Sequence, residues 1–152
     1  MQSLQDRYAP HHECFGCGAT NEKGLQIKSM VEGDKVIAHW QAQPHHIAFK
    51  GMLNGGICGA LLDCHSNWTA AYFLMKHHKR DKPSCTVTAE YKVTLHHPTP
   101  TDKTIRLVAW IEELTDRKAV VSSYLEVNQK KTVSCIGTFV AVKEGHPAYH
   151  RW

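Results

Sequence analysis

The 152-residue sequence predicts an α+β fold in which one long central helix is wrapped by a curled antiparallel sheet. Three observations carry this expectation. A helix-periodic stretch of over twenty residues occupies the middle of the chain, near residues 54–77. Runs with the two-residue period of a strand lie on either side of it. The later runs are joined by short connections, whereas parallel pairing needs crossovers of a dozen or more residues. A lone helix cannot bury its own apolar stripe, and a sheet curled around it is the economical partner.

The elements follow in order. LQIKSMV and KVIAHWQA, within residues 25–43, read as two strands joined at the turn signal Glu32-Gly33-Asp34. QPHHIAFKGMLNGG has no clear period, contains Pro44 and three glycines, and reads as a loop ending at a helix start. In the helix, Ile57, Leu61, Cys64, Trp68, Ala71, Tyr72 and Met75 recur at three- and four-residue spacing and form one apolar stripe. Asn54 suits its N-cap, because an asparagine side-chain oxygen can accept a bond from a free backbone N–H. The basic run Lys76 to Arg80 suits the negative end of the helix dipole. After Pro83, Cys85, Val87, Ala89, Tyr91, Val93 and Leu95 alternate with polar residues, predicting a long strand with one dry and one wet face. HPTPTDK breaks it. A strand over Ile105–Ile111 follows, then KAVVSSYLEV and TVSCIGTFVAV, separated by Asn128-Gln129-Lys130-Lys131.

Length fits one domain, placed at residues 14–143 between an N-terminal tail (1–13) and a C-terminal tail (144–152). A domain of this size buries roughly 70% of its unfolded surface and needs neither disulfides nor a metal to hold a core. No stretch approaches the ~20 apolar residues of a membrane span, and MQSLQDRYAPHH has no signal-like apolar region, so a cytoplasmic protein with six reduced cysteines is expected. The net charge of +4 is dispersed, without the dense basic stripe of a nucleic-acid binder, though it suits a small anionic ligand such as CoA.

The chemistry centres on the helix start. Gly55 and Gly56 lie in the first turn, where backbone N–H groups have no intrahelical partner. Lacking side chains, they let a ligand carbonyl approach those donors, and the helix dipole adds positive potential there. Such a site favours negative charge developing on a carbonyl oxygen. Asp63 lies two turns on, roughly 10–12 Å along the axis, in an otherwise apolar stretch where an unpaired carboxylate is costly to bury. It reads as a general base or a nucleophile, or alternatively as a structural aspartate bonded to Asn67.

CFGCGATNEKGLQIKS, GMLNGGICGALLDCHSNWTAA, YKVTLHHPTP, Arg117 and GTFVAV together resemble the hotdog-fold acyl-CoA thioesterases of the PaaI-like and THEM-like group, over roughly Cys14 to Val142. The sharpest part is the helix-opening Gly-Gly with an acid seven residues after the second glycine. The resemblance implies a hotdog fold and hydrolysis of acyl-CoA to free acid and CoA without a cofactor. It also implies a homodimer or dimer of dimers in which one subunit supplies the acid and another the N-terminal donors. Asp63, Gly55 and Gly56 are then catalytic, with Asn54, Asn67 and Thr88 toward substrate. Most relatives carry histidine where this chain has Asn54, which caps but takes up no proton. Thr88 stands where some relatives place a hydroxyl that positions water; a solvent-side strand threonine is the other reading.

Cys14-x-x-Cys17 invites a zinc reading, but no second cysteine pair lies at a matching distance, and no metal is expected. Adjacent histidine pairs point to opposite faces of a strand and do not chelate one ion there. Beside the thioesterase stand two further hypotheses: a non-catalytic hotdog module binding acyl-CoA or another hydrophobic ligand, and a small Cys/His metal protein. A hotdog dehydratase is disfavoured because Asp63 is followed by cysteine, not paired with histidine.

Overall fold

A computed structural model describes all 152 residues. In chain order the elements are α1 (Leu4–Tyr8), β1 (Met30–Glu32), β2 (Lys35–Trp40), a 3-10 turn (Pro44–His46), β3 (Ile47–Phe49), β4 (Met52–Leu53), α2 (Gly55–His77), β5 (Thr86–Leu95), β6 (Ile105–Leu114), β7 (Lys118–Val127) and β8 (Lys130–Ala141). One six-stranded antiparallel sheet has the order β1-β2-β6-β7-β8-β5 and packs on α2, while β3 and β4 form a separate small hairpin. No helix is long and apolar enough to cross a membrane.

Local chemistry explains the connections. Gly33 takes a φ of 65° in the β1–β2 turn, a conformation that costs glycine little. Asn128 and Gln129 both have positive φ, so the expected four-residue separator is a two-residue hairpin turn, with Lys130 and Lys131 already paired in β8. The first expected strand is corrected. Only Met30–Glu32 joins the sheet, because Gln26 has a φ of 51° and the Leu25 and Ile27 N–H groups donate instead to Phe15 and Gly16 carbonyls.

Burial on α2 extends well beyond the expected stripe. Leu61, Leu62, Trp68, Ala70, Ala71 and Leu74 are fully buried, and so are His65, Ser66 and Thr69. The sheet covers one side of the helix, and the chain before β1 covers part of the rest. The side chains of these last three residues, His65, Ser66 and Thr69, are all hydrogen-bonded, as burial requires. Ser66 Oγ donates to Ser123 Oγ at 2.8 Å, and Thr69 Oγ1 donates to the His65 carbonyl at 2.9 Å. The His65 ring bonds Val36 O at 2.9 Å and Ser29 Oγ at 2.8 Å. Burial pushes its pKa down to about 4, so the neutral imidazole donates to Val36 O and accepts from Ser29.

The segments expected as tails pack against the domain. Leu4 and Gln5 of α1 are buried, and the Gln5 amide pairs with Ser29 twice, to its Oγ at 3.0 Å and from its N–H at 2.8 Å. At the other end Trp152 stacks on Trp68 with ring centroids 4.4 Å apart, and Arg151 Nη1 donates to Thr86 O at 2.8 Å.

A register shift between Thr88 and Glu90 changes the reading of β5. Because side chains alternate, one extra residue moves all later ones to the opposite face. Thr86 and Thr88 therefore point toward α2 before the bulge, and Tyr91, Val93 and Leu95 do so after it. The expected single dry face is split. β5 is also the last strand of the sheet, and Tyr91 and Leu95 are 45% and 58% exposed.

Candidate active site

Asn54, in extended conformation, caps α2: its Oδ1 accepts from the Ile57 N–H at 3.1 Å, and its carbonyl accepts from the Cys58 N–H at 3.1 Å. Of the first four helical N–H groups, those of Gly55 and Gly56 are left without a protein partner. A methyl group added at Gly55 would stand 3.3 Å from Leu95 Cδ1, and one at Gly56 would stand 3.0 Å from Asn54 Oδ1. The glycines thus keep the approach to the helix end open and leave the cap undisturbed. Beside Gly55 lies a cavity of about 290 Å³ walled by Phe49, Met52, Leu53, Leu95 and Pro98. It is a mostly apolar hollow bordering the end of a helix dipole, suited to an apolar chain carrying a polar carbonyl.

Asp63 is half-buried on the third turn of α2. Thr88 Oγ1 donates to its Oδ1 at 2.6 Å, while Oδ2 has no hydrogen-bond partner. Burial raises the carboxyl pKa, and the Thr88 hydrogen bond opposes that rise. Thr88 reaches the acid because of the β5 bulge, so it is not a solvent-side threonine. Asn67 does not bond Asp63. It is 5% exposed, its Nδ2 donates to Thr86 O at 3.3 Å, and its Oδ1 is buried without a partner.

The six candidate residues therefore form two groups. Asn54, Gly55 and Gly56 meet at the helix start, and Asp63 and Thr88 meet roughly 12 Å along the axis, with Asn67 about one turn further on against β5. Asp63 does not line the cavity beside Gly55. Between the groups stands Tyr91, which sequence reasoning placed only on a dry strand face. Its ring would touch a methyl group on Gly59 at 3.8 Å, and burial together with the nearby Asp63 charge raises its pKa. The available signal was the four-residue spacing of Gly55 and Gly59, which clears one face of the helix for a strand side chain.

No protein-family model and no curated protein matches the sequence. Among solved structures, the chain is similar to a thioesterase superfamily protein from Shewanella loihica, with 28% identity and a TM-score of 0.68 over 91% of this chain and 99% of that one. It is also similar to the Escherichia coli PaaI protein of the phenylacetic acid degradation operon, with 12% identity and a TM-score of 0.66 over 78% and 81%. An uncharacterised protein from Pyrococcus horikoshii gives 13% identity and a TM-score of 0.68 over 95% and 97%. The long helix on a curled antiparallel sheet is the hotdog fold, and thioesterase-superfamily proteins are among its structural neighbours here.

Proposed function

We propose that the protein hydrolyses acyl-CoA thioesters to free acid and CoA, each site combining Asp63 of one subunit with the Gly55 and Gly56 amides of another. The observation that carries this reading is the Asp63 carboxylate, with one oxygen fixed by Thr88 at 2.6 Å and the other free. Similarity to a thioesterase superfamily protein over nearly the whole of both chains supports the thioester as substrate class.

In the proposed reaction the thioester carbonyl oxygen accepts from the two free N–H groups. The free oxygen of Asp63 takes a proton from water as the water oxygen bonds to the carbonyl carbon. The tetrahedral oxyanion is stabilised at the helix start, where donors are fixed in advance. Its collapse breaks the carbon–sulfur bond, and the CoA sulfur takes up the proton. Direct attack by Asp63, through a mixed anhydride, is the other route open to this carboxylate. Single turnover in oxygen-18 water tests for that route, since label reaches the Asp63 carboxyl group only if an anhydride forms and water opens it at the Asp63 carbon.

A second copy of the chain supplies what one lacks. The donors and the acid of one helix are too far apart to share one carbonyl. Two helices related by a two-fold axis would bring each acid to the other's donors. The open edge of β5 and the exposed side chains of Phe49, Tyr91 and Leu95 lie on this side of the molecule. The alternative is a hotdog module that binds acyl-CoA without cleaving it. Asn54 favours that reading, since its side-chain oxygen is engaged in capping and the residue provides no proton. Asp63→Asn decides between them. Wild-type protein should release CoA thiol, and the variant should be slower by at least about 100-fold with its fold intact. Undiminished turnover in the variant removes Asp63 from the chemistry; no turnover by either protein, with CoA ester still bound, leaves the binding module.

A further inference from the structure

The chain before β1 turns back on α2 so that four metal-ligating side chains meet beside Asp63. Cys14 Sγ lies 3.7 Å from Cys64 Sγ, and a His12 ring nitrogen, Cys14 Sγ and Cys17 Sγ all lie within 4.8 Å of one another. We propose that His12, Cys14, Cys17 and Cys64 form a structural zinc site that fastens the N-terminal segment to the central helix.

The geometry suits a tetrahedral ion. At a Zn–S distance of about 2.3 Å, two sulfurs on a tetrahedron stand about 3.8 Å apart, close to the Cys14–Cys64 spacing and far beyond the ~2.05 Å of a disulfide. Three thiolates and one imidazole are a ligand set that zinc takes in closed structural sites. His12 Nε2 is buried without a hydrogen-bond partner, an expensive state for a ring nitrogen. A supporting donor aims at one of the sulfurs: Trp68 Nε1 donates to Cys17 Sγ at 3.3 Å. Such outer hydrogen bonds orient thiolate ligands and spread their charge. Gly16 permits the approach, since a methyl group on it would fall 2.2 Å from Cys64 Sγ. Binding would release the three thiol protons, and three thiolates on Zn²⁺ carry one net negative charge.

The test uses the full chain made without a polyhistidine tag, loaded with zinc, desalted and assayed for metal. About one zinc per chain is expected, falling severalfold in Cys14→Ser and Cys64→Ser and unchanged in the control Cys85→Ser, whose thiol lies outside the cluster. Cobalt replacing zinc should give the absorption of a tetrahedral ion with thiolate charge-transfer bands. Those bands count sulfur ligands in the wild-type protein, so this arm remains decisive if a variant fails to fold. Three thiolates support the site. Protein that retains no metal after desalting, equal zinc in wild type and Cys64→Ser, or a cobalt spectrum with two or fewer thiolates overturns it.

Discussion

At the scale of single residues, Thr88 shows how much depends on one hydroxyl. Its bond to Asp63 restrains the carboxylate through Oδ1 and leaves Oδ2 without a hydrogen-bond partner. Hydrogen bonds to charged groups are worth roughly 1.5–3 kcal/mol, and a carboxylate released from its bond spends less time aimed at water. Thr88→Val is therefore expected to lower kcat roughly 10-fold with little change in KM, while Thr88→Ser, which restores the hydroxyl, recovers most of the rate. Steady-state kinetics on all three proteins checks this; equal loss in Val and Ser would mean that the methyl packing matters and the hydrogen bond does not. The acid, the glycines and the cap were readable because each stands within ten residues of the others, in a pattern one helix explains. Cys64 was not readable as a ligand, because its partner Cys14 is fifty residues away and only the fold brings them together. The expectation of no metal counted ligands near Cys14-x-x-Cys17 in sequence, and the third sulfur of the cluster comes from the helix.

Single elements were legible where their period was long and unbroken. The 23-residue α2 begins directly after the expected cap and ends at the basic run. β5 was legible as a strand but not in its facing, since a bulge leaves no mark in a sequence of alternating residues. α1 has five residues, too few to establish a helical period, and so the first thirteen residues read as a tail. What holds α1 in place is a buried polar chain in which Gln5, Ser29 and His65 join it to α2 and β2. Ser29 is the middle link. Ser29→Ala leaves Gln5 Nε2 and His65 Nδ1 buried without partners, and each orphaned buried group costs roughly 1–3 kcal/mol. A loss of about 2–4 kcal/mol of unfolding free energy is expected, seen as a lower urea midpoint at unchanged slope. A change below about 0.5 kcal/mol, the range of ordinary surface substitutions, would show that water enters and replaces the hydroxyl.

For the whole molecule, the element order and antiparallel pairing were legible, but not the position of β5 beside β8. That pairing joins the ends of a long stretch of chain, which no local pattern encodes. Assembly lies further still from the sequence, yet the separation of the two half-sites makes it testable. If Asp63 of each subunit serves the Gly55 and Gly56 donors of the other, a dimer lacking one half in each chain retains one complete site. Asp63→Asn removes the acid. Gly56→Val fills the space where the carbonyl approaches, and it also presses on the Asn54 cap, whose loss costs only about 1 kcal/mol. Each variant alone should form an inactive dimer. Co-expressed with different tags and purified through both, the mixed dimer has one site with neither half intact and one with both. It should regain about half the wild-type rate per dimer. Thermal melts of the separate Gly56→Val dimer establish that its inactivity is local and not a loss of fold. An authentic mixed dimer without activity would place the whole site in one subunit, and a fully active monomer by light scattering would remove the need for a second copy altogether.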